Sequence, residues 1–158
     1  MAIAPTLQKY LAAEKIAYDV IVHQPAMSAT RTAEACKISG DCLAKAVLLR
    51  SGDGYLLAIL PASHHIRLAD GTVQRLLGCD VDLATEFEIG QMFQDCTLGA
   101  VPPVGACYGL DTIVDDSIEE QPEVYLEGGD HATLVHMNHM EFARLTQDAW
   151  RGHFSVRD

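Results

Sequence analysis

The chain has 158 residues, 49% of them hydrophobic, and a mean hydropathy of +0.08. These values predict one folded domain with a substantial core, and they exclude a disordered chain. They also exclude a membrane span, since no apolar run approaches about 18 residues. The net charge of −11 is uneven, with +2 in residues 1–75 and −13 in residues 76–158.

This acidic balance argues against broad nucleic-acid binding, and DNA is not an expected partner. A local basic face remains open in the first half of the chain. It would be built from Arg31, Lys37, Lys45, Arg50, Arg67 and Arg75.

Five cysteines occur without a CxxC pair, and the N-terminus lacks the basic and apolar segments of a signal peptide. An odd number of cysteines, most of them among apolar neighbours, predicts buried free thiols in a reducing compartment. The expected location is therefore the cytoplasm, with no membrane partner.

The first half of the chain is predicted to alternate between helices and strands. In order, these are a helix over 5–16, a strand over 18–23, a helix from Ser28 to Gly40, and strands over 43–50 and 55–60. The helices show apolar residues at helical spacing or N-cap candidates. Gly52-Asp53-Gly54 predicts a hairpin turn between the last two strands, and the second of them is apolar on both faces, which predicts a central position.

The second half is predicted to contain more strand. The predicted elements are, in chain order, a helix over 71–77, an edge strand over 80–84, a helix over 85–93, strands over 106–114, 123–127 and 132–137, and a helix over 140–145. Residues 63–70 lead into the first of these helices, and residues 151–158 read as a tail. No repeat or linker divides the chain, so residues 1–158 are predicted to form a single α+β domain with a mixed, strongly curved sheet.

The segment Leu98-Gly99-Ala100-Val101-Pro102-Pro103-Val104-Gly105 is predicted to be a shaped loop. Proline fixes φ and has no amide donor, whereas glycine admits angles closed to other residues, so a helix interior and a central strand are both excluded. The amides that remain could point at a ligand. A tight turn with a purely structural role is the alternative.

Lys45 lies inside an apolar strand, where an unpaired ammonium group facing inward would be costly. One interpretation is a lysine on the solvent face, with its stem packed and its head in water. The other is a cation placed in a cleft to meet a phosphate or a developing negative charge.

The spacing of His131, His136 and His139 raises the hypothesis of a metal-dependent hydrolase. The segment lacks an HExxH pattern and an accompanying cysteine pair, so surface or hydrogen-bonded histidines are favoured and no metal is predicted. No GxSxG, P-loop or GxGxxG motif occurs, and no serine has triad-like surroundings. The sequence therefore offers no protein nucleophile.

Taken together, several motifs follow one another in a recognisable order. They are His23-x-Pro25, Ala44-Lys45-Ala46-Val47, Leu57-Ala58-Ile59-Leu60-Pro61-Ala62, the loop from Leu98 to Gly105, Gly128-Gly129-Asp130-His131 and Phe142-Ala143-Arg144-Leu145. This order resembles the YbaK/ProX family of aminoacyl-tRNA deacylases, which are related to the editing insertion of bacterial prolyl-tRNA synthetases. The resemblance covers about residues 3–147.

The resemblance implies a sheet curved toward a barrel, no cofactor, and hydrolysis of the ester that joins a wrong amino acid to tRNA. The substrate it implies is a small amino acid such as alanine or cysteine on tRNA-Pro, with the tRNA 3′ end bound and a synthetase as a candidate partner. In this family the terminal hydroxyl of the tRNA is thought to assist the water. The implied catalytic residues are Lys45, Gly99, Ala100 and Val101, with the amides of the last two as donors to the carbonyl oxygen. The implied substrate-binding residues are Pro102, Pro103, Gly105, Gly129 and His131.

One position departs from the family pattern. Many active members carry Thr, Ser or Asn directly after the lysine, where this chain has Ala46. Together with the acidic second half, this keeps open an alternative function, a noncatalytic module of the same fold that binds aminoacyl-tRNA or an amino acid and regulates a partner.

Overall fold

The strands form an eight-stranded mixed sheet and a separate two-stranded sheet. The structure is a computed structural model that describes residues 3–52 and 54–158, so Asp53 of the predicted hairpin turn lies outside the described residues, as do Met1 and Ala2. The strands are β1 (Asp19–Val22), β2 (Leu43–Ser51), β3 (Gly54–Pro61), β4 (His64–Ile66), β5 (Asp82–Leu83), β6 (Asp111–Asp115), β7 (Glu123–Glu127), β8 (Thr133–Asn138), β9 (Trp150–Gly152) and β10 (Ser155–Arg157).

Six α-helices lie among the described residues. They are α1 (Pro5–Ala13), α2 (Ala29–Cys36), α3 (Thr72–Leu77), α4 (Glu86–Met92), α5 (Asp116–Glu119) and α6 (His139–Leu145). The predicted cap of α2 is confirmed, because the Ser28 side chain accepts the amide of Arg31. Thr85 and Glu88 form the reciprocal hydrogen bonds of a capping box at the start of α4.

The large sheet runs in the order β1-β8-β7-β2-β3-β6-β9, and β5 adds to β2. The predicted central position of the apolar strand is confirmed, since β3 lies between β2 and β6 and is buried from Leu56 onward. The α+β class and the mixed sheet are confirmed as well. The sheet ends in two free edges, β1 and β9, so it resembles a barrel only loosely.

Both faces of the large sheet are covered. On one face, Leu7 and Leu11 of α1 pack with Ile59 and Phe142. On the other face, Leu60 packs with Val73, Phe154 and their neighbours. No helix in the described ranges has the length and apolar character needed to cross a membrane.

Two helices end earlier than predicted, in both cases at a lysine in the left-handed region. Helix α1 stops at Ala13, where Lys15 has φ +54° and the amide of Ile16 bonds to the carbonyl of Leu11. Helix α2 stops at Cys36, where Lys37 rather than Gly40 takes the left-handed position, with φ +57°. Such closing turns satisfy carbonyls that the last helical turn leaves free.

Three other predictions need correction. Residues 106–108 form a 3-10 helix instead of the start of a strand, and β6 begins only at Asp111. Residues 64–66 form β4, which pairs with β10 in the predicted tail, and the short β9 precedes that strand. The buried carboxylate of Asp115 explains the ordered tail, because its Oδ1 accepts the amides of Phe154 at 2.8 Å and Ser155 at 2.9 Å.

Candidate active site

The glycine-proline loop begins with a tight turn over residues 97–100. The amide of Ala100 donates to the carbonyl of Thr97 at 3.0 Å, and Gly99 has φ +86°, the angle that the third residue of a type II turn requires. The backbone amide of Ala100 is therefore used within the turn and is not free to donate a hydrogen bond to a substrate. Within residues 3–52 and 54–158, the amides of Gly99 and Val101 have no hydrogen-bond acceptor.

His131 fastens this turn to the rest of the protein. Its Nε2 lies 2.5 Å from the carbonyl oxygen of Leu98, and its own carbonyl accepts the amide of Ala26 at 3.1 Å. His131 is 5% exposed and has φ +63°, a backbone angle that is uncommon for a residue with a side chain. It thus joins the loop after β7, the loop before α2 and the Gly99 turn.

The other predicted loop residues have a supporting position. Pro102, Pro103 and Gly105 are buried. A Cβ on Gly105 would lie 2.2 Å from Thr112 Oγ1, so the glycine permits close packing of the loop on β6. These three buried residues therefore support the loop on its protein side.

Gly129 also supports the turn. Its carbonyl accepts the amide of Thr97 at 2.7 Å. A Cβ at this position would lie 3.1 Å from Ala4 Cβ and 3.5 Å from Cys96 Sγ, and φ is +123°. The position therefore requires glycine for close approach to the N-terminal segment.

A gap in the sheet lies beside Lys45. Strand β7 pairs with β2 only as far as Ala44, and β5 begins to pair at Leu49. The carbonyl of Leu43 accepts the amide of Ala62, so the backbone polar groups of Leu43 point toward β3. Because these groups point to alternate edges along a strand, the N–H and C=O groups of Ala46, three residues further on, point to the opposite edge of β2. They face the gap, where no strand of residues 3–52 and 54–158 pairs with them.

Lys45 and the loop approach this gap from opposite faces of β2. The side chain of Lys45 shares its face with Leu43 and Val47, while Ala46 points to the other face and packs in one cluster with Val101. Lys45 is half-buried, and this burial lowers its pKa, against the opposing effect of Asp158. The two groups can therefore meet only across the open edge of the strand.

Glu127 is a residue of this region that the sequence analysis missed. It ends β7, is 4% exposed, and faces the side chain of Thr32 on α2. Burial raises its pKa from 4.5 to about 7, against the opposing effect of the Thr32 hydroxyl. The available signal was a single acid closing the apolar run of β7, directly before Gly128-Gly129.

The other two histidines of the metal hypothesis, His136 and His139, lie away from the Gly99 turn. His136 lies on β8, stacks on Tyr125 and bonds to Glu123, while the amide of His139 bonds to Pro122. The described residues contain no group of three His, Cys, Asp or Glu side chains placed to hold a metal.

The cysteines are free, but they are less buried than predicted, with Cys79 exposed and the other four half-buried. Burial raises the pKa of Cys96 to about 11 and that of Cys107 to about 12, which disfavours a reactive thiolate at either position.

Part of the predicted basic face is neutralised by acidic partners. Arg50 lies 3.6 Å from Glu88, and Arg67 lies 2.8 Å from Asp70. Arg31 remains exposed on α2, where it lines a groove together with Met27. The Gly99 turn borders the same loop, because a Cβ at Gly99 would lie 4.0 Å from the carbonyl oxygen of Met27.

Comparison with known proteins identifies the family of this α+β domain. The family model of the aminoacyl-tRNA editing domain matches residues 23–145. The chain belongs to this family, which confirms the resemblance to YbaK seen in the sequence. No curated protein sequence matches the chain.

Solved structures share the fold over nearly the whole chain. A protein proposed as a trans-editing enzyme for prolyl-tRNA synthetase has 24% identity and a TM-score of 0.82, with 97% of this chain and 96% of that chain covered. The hypothetical protein APE2540 has 18% identity and a TM-score of 0.83, with 96% and 99% covered. A proposed signal transduction protein from Marinobacter aquaeolei VT8 has 24% identity and a TM-score of 0.76, and the match covers 96% of this chain but 30% of that one.

Proposed function

We propose that this protein is a trans-editing aminoacyl-tRNA deacylase that hydrolyses the ester of a small amino acid, such as alanine or cysteine, on tRNA-Pro. The observation that carries the proposal is the Gly99 turn, which is held by His131 and keeps the amides of Gly99 and Val101 without an acceptor. The substrate is an aminoacylated tRNA 3′ end, and the site of action is the cytoplasm. A synthetase is a candidate partner that would deliver the tRNA.

The proposed chemistry needs no protein nucleophile. As water attacks the ester, negative charge develops on the carbonyl oxygen, and fixed amides stabilise that charge with little reorganisation. The amide of Val101 is the proposed main donor, because Ala100 already donates to Thr97. Pro102 and Pro103 hold the chain after this amide in a fixed direction.

Lys45 is proposed to fix the tRNA terminus. Its ammonium group would bind the terminal phosphate or the 3′ nucleotide and position the ester at the gap beside Ala46. Loss of this contact should misplace the ester without unfolding the protein, because the lysine is only half-buried.

A replacement of Lys45 by methionine tests this role, since methionine keeps an unbranched apolar stem and removes the charge. Lys45→Met is expected to lower kcat/KM for deacylation of Ala-tRNA-Pro and Cys-tRNA-Pro by about 100-fold. Lys9→Met, on the exposed face of α1, is the matched control and should keep the wild-type rate. A wild-type rate in Lys45→Met would refute the assignment of Lys45.

The second candidate function is a noncatalytic module that binds aminoacyl-tRNA or an amino acid. Ala46 favours it, because many active relatives have a polar residue after the lysine, and so does the −13 charge of residues 76–158. A panel of charged tRNAs separates the two functions when turnover and binding are measured side by side. Binding without turnover on every charged tRNA would establish the module.

A further inference from the structure

The segment that contains β10 crosses the face of β2 from which Lys45 projects. Residues opposite each other in a ladder share a face of the sheet, so Lys45 lies on the same face as Leu60, its partner on β3. On this face Val47 packs in one cluster with Leu60 and Phe154, the residue directly before β10. Strand β10 then pairs with β4 and leads the chain to Asp158.

Two contacts of its own fix the position of Asp158. Its amide donates to the carbonyl of Ser63 at 3.0 Å. Its Oδ1 lies 2.8 Å from Nδ1 of His65, and since an ionised carboxylate only accepts, the histidine donates this hydrogen bond. The preceding Arg157 forms two hydrogen bonds with the carboxylate of Asp41, at 2.9 Å and 3.1 Å. The carboxylate of Asp158 is therefore held at His65.

Lys45 senses the same carboxylate from a greater distance. The hydrogen bond from His65 lowers the pKa of Asp158, and the charge of Lys45 acts in the same direction. Within the described residues, however, no salt bridge includes Lys45. The carboxylate thus lies near two donors but makes direct contact with only one of them.

We propose that Lys45 and His65 form a binding site for a phosphate group of the tRNA 3′ end, and that the carboxylate of Asp158 occupies this site in the free protein. The inference rests on the proposed function. A phosphate group that is not attached to the backbone of β10 can lie within reach of both donors, which Asp158 cannot. The side chains of His65 and Asp158 are 60% and 58% exposed, so a ligand can reach them from solvent and displace the acid.

Binding of an uncharged minihelix, the acceptor stem of tRNA-Pro with its single-stranded 3′ end, tests the site by fluorescence anisotropy. Asp158→Asn keeps the shape of the side chain and removes the competing charge, so it should bind the minihelix about two- to fivefold more tightly than wild type. Lys45→Met and His65→Asn should each bind it about three- to tenfold more weakly. Asp116→Asn and His153→Asn, at exposed positions, are the matched controls and should bind as wild type does.

A mutant cycle gives a readout that a purely structural role of the acid would not produce. When both Lys45→Met and His65→Asn are present, the acid has no donor left to occupy, so adding Asp158→Asn should leave the affinity unchanged. The salt dependence gives a second readout. Lys45→Met should lower the slope of log K against log salt by about 0.7, the value for one phosphate contact on a single strand.

The outcomes separate this inference from the proposed function. A gain in Asp158→Asn that disappears when both donors are replaced supports the site, even when no charged tRNA is deacylated. Equal or weaker binding by Asp158→Asn, or an equal gain in Asp116→Asn, would overturn it. Failure of wild-type protein to bind the minihelix, or its displacement by an equimolar amount of inorganic phosphate, would overturn it as well. Deacylation of Ala-tRNA-Pro by wild-type protein would leave the proposed function intact in each of these cases.

Discussion

The contact between Gly99 and His131 is the point at which the site is most easily broken. In Gly99→Ala, the new Cβ would lie 2.9 Å from Cε1 and 3.3 Å from Nε2 of His131, and φ is +86°. The backbone strain of alanine in this region costs about 1–2 kcal/mol. Overpacking against a buried ring adds about 1–3 kcal/mol. We expect the free energy of unfolding to fall by about 2–5 kcal/mol.

Gly109→Ala is the matched control, because Gly109 has φ +69° and a Cβ there would meet no atom within 4 Å. It should lose only the strain, about 1–2 kcal/mol, with deacylation unchanged. Gly99→Ala should also lower kcat/KM about 10- to 100-fold, since the turn that aims the Val101 amide must move. Urea unfolding and deacylation rates measure both effects. Equal losses of stability in the two variants, together with a wild-type rate in Gly99→Ala, would refute this account of the turn.

Two further predictions concern buried acids. Asp115→Asn should lower the free energy of unfolding, measured in urea, by about 2–4 kcal/mol, because Oδ1 of Asp115 accepts the amides of Phe154 and Ser155. The control is Asp116→Asn at an exposed position, which should change the free energy of unfolding by less than about 0.5 kcal/mol. Glu127 has a raised folded pKa, so its burial penalty is absent below pH 4.5, grows up to about pH 7 and stays full above that. Glu127→Gln should therefore be more stable than wild type at pH 8 by up to about 3 kcal/mol. This difference in the free energy of unfolding should shrink toward pH 5. A difference that does not depend on pH would contradict the assigned pKa.

The parts of the fold that local residues determine could be predicted from the sequence. The cap at Ser28 and the capping box at Thr85 depend on side chains within four positions. The continuous apolar run of β3 predicts that this strand is buried on both faces. The tail strands could not be predicted, because β10 depends on hydrogen bonds that the amides of Phe154 and Ser155 donate to the carboxylate of Asp115. Those contacts exist only after the sheet has formed.

The candidate site shows the same division. The chemistry of the loop could be predicted, since two prolines and two glycines exclude regular structure wherever they lie. The hydrogen bond that uses up the Ala100 amide could not, because it depends on the turn type that Gly99 adopts. Glu127 was missed because an acid at the end of a strand usually faces water, and only the packing of α2 over β7 buries it.

The gap beside Ala46 is the feature of the sheet on which the proposed site depends. A closed sheet would pair every backbone group of β2, but the ladder with β7 ends at Ala44, and the next hydrogen bond on this edge is the one that the Leu48 carbonyl accepts from the Ala84 amide. Lys45 comes to this edge from one face, and the Gly99 turn comes to it from the other. A ligand that contacts both groups must therefore enter at this edge, and the proposed tRNA 3′ end would have to do the same.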